Sequence, residues 1–123
     1  MKSIRTVVGD ISPRALGHAQ CHEHLLVGAT PAAIKNPTLL FDEPDKSLRE
    51  LRQYRWDGGD ALVDAQPVGA GRDADGLRML AEATGLHIVA STGFHKKMFY
   101  PKGHWAFCWP LLLRPAKRPM PLW

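Results

Sequence analysis

The order of apolar and polar positions follows one grammar up to about residue 101 and loses it afterwards. Ile4, Val7 and Val8 gather ahead of Gly9-Asp10 and predict a short strand within residues 1–9. Ser12-Pro13 turns the chain. Ala19 to Val27 (AQCHEHLLV) is a second compact segment that reads as a strand. From Gly28 to Pro44, proline and small residues surround an apolar Leu39-Leu40-Phe41 patch, which predicts an ordered loop. Leu48 and Leu51 lie three apart among charges and predict a short amphipathic helix over Asp45–Tyr54, capped by Asp45 or Ser47.

A more regular unit follows. Gly58-Gly59-Asp60 is a turn, Ala61 to Ala65 an apolar strand, and Gln66 to Arg72 a Gly/Pro loop. Asp73 caps a helix in which Leu77, Leu80, Ala81 and Thr84 fall at i, i+3, i+4 and i+7, and Gly85 ends it. Leu86 to Ala90 is another apolar strand, leading into a Ser91-Thr92-Gly93 turn. Strand, helix, strand in this compass is a βαβ unit, and near-continuous apolar strands suit a parallel sheet covered by helices. The expected class is α/β.

Past Pro101 neither period 2 nor period 3.6 is sustained. His104 to Trp123 contains three of the four tryptophans and four of the ten prolines of the 123-residue chain. That density of proline excludes a regular helix or a central strand. Charge separates in the same way. The formal net charge is +4, yet Lys102, Arg114, Lys117 and Arg118 lie in a tail with no acidic residue, and the chain before them balances. An anionic partner inferred from the whole chain therefore loses its basis. Trp105, Trp109 and Trp123 with these cations form no periodic face, so neither nucleic acid nor a membrane is an expected partner. The reading divides the chain at residues 1–104 and 105–123.

Cys21 and Cys108 lie far apart, and residues 1–9 lack the apolar run of a secretory signal. Free thiols in a reducing, cytoplasmic setting are expected. Cys21 neighbours His22 but points to the opposite face of a strand, which predicts a thiol packed in the interior.

The sharpest chemical feature is His22-Glu23-His24. Side chains one residue apart on a strand share a face, so the two imidazoles form a potential chelate for a divalent cation, with Glu23 turned away. On spacing alone, an incidental pair and a metal-binding pair both stay open. Gly69-Ala70-Gly71 matches no phosphate-loop pattern, and the acid at the following helix start disfavours anions. His87, in an apolar strand, reads as a core or rim residue.

Two ordered blocks carry a resemblance. Thr6-Val7-Val8-Gly9-Asp10-Ile11, Leu16-Gly17 and His22-Glu23-His24-Leu25-Leu26 form the first. Leu62-Val63-Asp64-Ala65, Pro67-Val68-Gly69, Gly71-Arg72-Asp73, Leu77, Glu82 to Val89 and Thr92-Gly93-Phe94 form the second. Together they resemble the first three strand regions of the phosphotriesterase family, within the amidohydrolase superfamily. The resemblance implies a (β/α)8 TIM barrel with its site at the C-terminal ends of the strands. It implies two divalent ions, usually zinc, held by a first-strand HxH, a carboxylated lysine, two later histidines and an aspartate. These activate water to hydroxide for hydrolysis of a phosphotriester or lactone. The HxH maps onto His22 and His24. His95, Lys96, Lys97, Phe99 and Tyr100 fall in the loop after the third strand, and Phe94, His95 and Tyr100 are the expected pocket residues, with a solvated loop as the alternative.

A (β/α)8 barrel takes about 250 residues, and the pattern here reaches the third strand. No residue is assigned as the bridging lysine, the later histidines or the aspartate, so no catalytic residue is expected within the chain. The expectation is an N-terminal barrel fragment, inactive alone, that follows the family to about His104-Trp105 and then runs in a shifted reading frame. The downstream DNA should then encode the missing strand-helix units in another frame; their absence from all three frames would refute the shift. An open barrel edge also predicts self-association or aggregation. The alternatives are a non-catalytic truncated product and a small metal- or anion-binding module.

Overall fold

The computed structural model describes residues 2–100 and 102–104, so the tail expected to be irregular lies outside the described residues. The first apolar cluster forms a hairpin instead of one strand. β1 (Ile4–Thr6) pairs antiparallel with β2 (Gly9–Ile11). Val7 and Val8 sit in the turn because Gly9 adopts φ 130°, a conformation that side chains rarely take. The Thr6 hydroxyl closes the turn, donating to the Gly9 carbonyl at 2.7 Å.

β3 (Ala19–Glu23), β4 (Ala61–Asp64) and β5 (His87–Ala90) form a parallel sheet in that order. The pairing sets Ala19 beside Ala61, and Leu62 beside Ile88, with an irregularity in β3 between Gln20 and Glu23. β3 forms one edge of the sheet. On the other side, the Val7 amide of the hairpin donates to the Ile88 carbonyl at 2.9 Å, which ties the hairpin to β5.

The segment read as a loop contains a short helix, α1 (Pro31–Lys35), followed by a 3-10 turn at Pro37–Leu39. Proline there starts helix instead of preventing it. Thr30 accepts from the Ala33 amide at 3.0 Å, and Pro31 occupies the first turn, where no amide proton is needed.

α2 (Pro44–Trp56) is longer than its apolar spacing indicates, again beginning on a proline. Neither expected cap acts as one. Glu43 occupies the N-cap position, and Ser47 instead turns inward, its hydroxyl donating to the Leu25 carbonyl at 2.7 Å. α3 (Ala74–Thr84) agrees with the sequence: the Asp73 carboxylate accepts from the Gly76 amide at 2.9 Å, and Gly85 ends the helix at φ 70°.

Helices α2 and α3 cover one face of the sheet. Leu51 from α2, Leu77, Leu80 and Ala81 from α3, and Leu62 and Ile88 from the strands form the core with Leu25, Leu26 and Leu86. Asp60 joins three elements at the N-terminal end of the sheet. It accepts from the His18 amide at 2.9 Å and pairs with Arg55 near the end of α2.

The His18 amide, and after it Arg55, hold the Asp60 carboxyl below its ordinary value of 3.8. A group depressed on folding contributes stability above its unfolded value and loses it as pH falls through the folded one. Unfolding free energy is therefore expected to decline on acidification below about pH 5, and Asp60→Asn to flatten that decline. Urea titrations of both proteins at a series of acidic pH values check this; parallel pH profiles contradict it.

Candidate active site

The loops after β3, β4 and β5 meet at the C-terminal ends of the parallel strands, and the residues of the candidate site come from these loops and the strand ends. β3 ends at Glu23, so His22 lies in the strand and His24 just beyond it. The irregularity beside His22 does not separate the rings: their centroids are 5.2 Å apart, edge to face. His22 is exposed and His24 half-buried. Cys21 is exposed, contrary to the interior packing expected for it, because the described residues place nothing over that side of the edge strand.

His24 is held from the loop after β4. Its Nδ1 lies 2.9 Å from Gln66 Oε1, and the Gln66 Nε2 donates to the Ala70 carbonyl. Asp64, at 0% exposure, braces the same point from below. It accepts from the Leu25 amide at 3.0 Å and the Gln66 amide at 3.4 Å, fixing the backbone beside His24 and that of Gln66. Burial pushes the Asp64 carboxyl above its ordinary range, opposed by those two amides and by the nearby His24 and Arg72.

A cavity of about 180 Å³ opens beside His24, lined by Val27, Thr30, Phe41, Gln66, His95 and Phe99 among others. Its walls are mainly apolar with a few polar groups, the usual make-up of a small-molecule site. The loop after β5 supplies one wall. There the His95 ring packs on Phe99 with centroids 3.9 Å apart, and the 3-10 turn Lys97–Phe99 returns the chain.

Of the three pocket residues expected from the sequence, His95 lines this cavity. Tyr100 is buried and supports the loop, its hydroxyl accepting from the His95 amide at 2.7 Å and its ring stacking on His104. Phe94 is 47% exposed. Val27, Thr30, Phe41, Asp64 and Gln66 carry no site role that the sequence alone assigns; Gln66 lies 42 residues from His24, and only strand register reveals the pair.

His22 and His24 suit a divalent cation in donor chemistry and proximity. Among the described residues, no group of three or more His, Cys, Asp or Glu is placed to hold a metal ion. The pair therefore fits as part of a ligand set. No helix among the described residues is long and apolar enough to cross a membrane.

Residues 2–106 match the sequence profile of the phosphotriesterase family. A phospho-furanose lactonase from Mycoplasmopsis agalactiae is 36% identical over 112 residues, covering 89% of this chain and 32% of that protein. The crystal structure of an amidohydrolase from Mycoplasma synoviae superposes with a TM-score of 0.76 and 35% identity, over 82% of this chain and 30% of the other. A lactonase from Listeria monocytogenes gives 0.72 and 34% identity, over 80% and 30%. The chain thus spans about 30% of the length of these relatives, and its three-stranded sheet is part of a (β/α)8 barrel. Profile and fold agree over most of its length, and the chain belongs to the phosphotriesterase family.

Proposed function

We propose that this chain supplies the first-strand histidine pair and part of the substrate pocket of a metal-dependent hydrolase acting on lactones or related esters. The observation that carries the proposal is the juxtaposition of His22 and His24, 5.2 Å apart, with a largely apolar cavity at the strand ends. Zinc is the proposed metal. A divalent cation held there supplies Lewis-acid polarisation of the scissile ester and acidification of water.

The chain's own residues do the rest. His22 and His24 offer ring nitrogens from one strand end. Gln66 and Asp64 keep His24 in place through the contacts above. Val27, Phe41 and Phe99 exclude water from the substrate side, and His95 offers the cavity a polar group. The relatives' lactonase activity favours a lactone, and the phospho-furanose lactonase favours a phosphorylated sugar lactone.

Two imidazoles leave most of a binuclear ligand set to other residues, so the 123-residue chain alone is proposed to be inactive and to associate through the β3 edge. The test is a chimaera in which residues 2–104 replace the matching part of a phospho-furanose lactonase. It is expected to hydrolyse lactones with zinc, while the isolated chain with zinc does not. Turnover by the isolated chain contradicts the inactivity. Unchanged turnover in the chimaera lacking both His22 and His24 contradicts the site.

A further inference from the structure

We infer that Gln66 is a positioning residue that sets the tautomer of His24 and so leaves the ring nitrogen Nε2 free to meet a cation. The inference rests on the reading of His24 as a metal ligand.

The Gln66 side chain has only one orientation that satisfies its surroundings. The residue is 6% exposed, and its amide group lies between two partners, the Ala70 carbonyl and His24 Nδ1. A carbonyl can only accept, so the amide NH2 faces Ala70 and the amide oxygen faces His24. That oxygen also can only accept. The proton between Gln66 and His24 must therefore sit on Nδ1, and a neutral imidazole with Nδ1 protonated presents a lone pair at Nε2.

The arrangement is fixed at both ends. Ala70 is fully buried, and its amide donates back to the Pro67 carbonyl at 3.2 Å, closing the loop that carries Gln66. The Gln66 amide is anchored to Asp64, which also holds the residue after His24. Ligating histidines commonly have the other ring nitrogen engaged in this way, and loss of the outer partner weakens metal affinity about 10–100-fold.

The tautomer can be read without metal. Long-range proton–nitrogen correlation spectra of the 15N-labelled chain, above the pH range in which imidazole protonates, are expected to show His24 protonated at Nδ1. Gln66→Leu removes the acceptor and is expected to shift His24 towards the Nε2-protonated form and to weaken zinc binding about 10–100-fold. Gln66→Glu keeps an acceptor and should retain the Nδ1 proton, which separates tautomer control from simple packing. An Nε2-protonated His24 in the unaltered chain overturns the inference, whether or not Gln66→Leu folds. So does a Gln66→Leu chain that keeps the Nδ1 proton. If the unaltered chain takes up no zinc, the metal reading fails, while a His24 spectrum showing the Nδ1 proton still upholds the role of Gln66.

Discussion

Simultaneous replacement of His22 and His24 by alanine is expected to abolish zinc uptake by the chain and to leave its fold intact. The two rings lie 5.2 Å apart at the strand end, and the described residues supply no third clustered ligand. Removing both therefore removes the paired nitrogen donors at the strand end. His22 is exposed and His24 only half-buried, outside the core that α2 and α3 form with the sheet, so folding should barely register the change.

The single variants should differ. His24 is oriented by Gln66, so its ring is ordered before a cation arrives and His24→Ala should lose more affinity than His22→Ala. In the lactonase chimaera, the double variant should lower kcat/KM at least a thousandfold, equivalent to about 4 kcal/mol of transition-state stabilisation. Calorimetric zinc titration, with circular dichroism as the folding control, reads the first effect, and lactone turnover reads the second. A folded double variant that binds zinc as before contradicts the assignment.

Leu77→Ala is expected to have the opposite signature, a large loss of stability without altering a ligand. Leu77 is 0% exposed on α3 and belongs to the core formed with α2, β4 and β5. Truncating a buried leucine costs about 2–5 kcal/mol, through lost transfer energy and the cavity left behind. Domains are stable by only about 5–15 kcal/mol, so this change alone brings the chain near its unfolding limit. Met79, two residues along the same helix, is 41% exposed and provides the control. Met79→Ala should shift stability by about 0.5 kcal/mol at most. Urea unfolding of the two variants decides the point: equal losses would show that α3 is not packed as described.

The legible parts of the fold were those written in local chemistry. Asp73, the Leu77-Leu80-Ala81 stripe and Gly85 specify α3 completely, because cap, buried face and stop lie within one stretch. The βαβ unit was legible for the same reason. Proline misled where its position mattered more than its presence. Pro31 and Pro44 occupy helix first turns, and density of proline alone does not distinguish that use from a loop. Val7-Val8 misled because a β-branched pair suits a strand, while Gly9 and Thr6 impose a turn.

The candidate site divides along the same line. His22 and His24 were visible because alternation along a strand places them together. Gln66 and Asp64 became visible only once β3 and β4 were in register, since the contact of Gln66 with His24 and that of Asp64 with Leu25 span 42 and 39 residues. Cys21 shows the converse: alternation along a strand does not tell whether a face is covered, which depends on neighbours across the sheet edge, and Cys21 is exposed.

Cys21 also makes the metal centre itself testable, because it is an exposed thiol next to the histidine pair. Zinc K-edge X-ray absorption on the zinc-loaded chain distinguishes the donors by distance. Imidazole nitrogens at about 2.0–2.1 Å, lost when His22 and His24 are replaced, are the expected result. A shell dominated by sulfur at about 2.3 Å, or a nitrogen shell unchanged in the double variant, would contradict a histidine-held metal at this strand end.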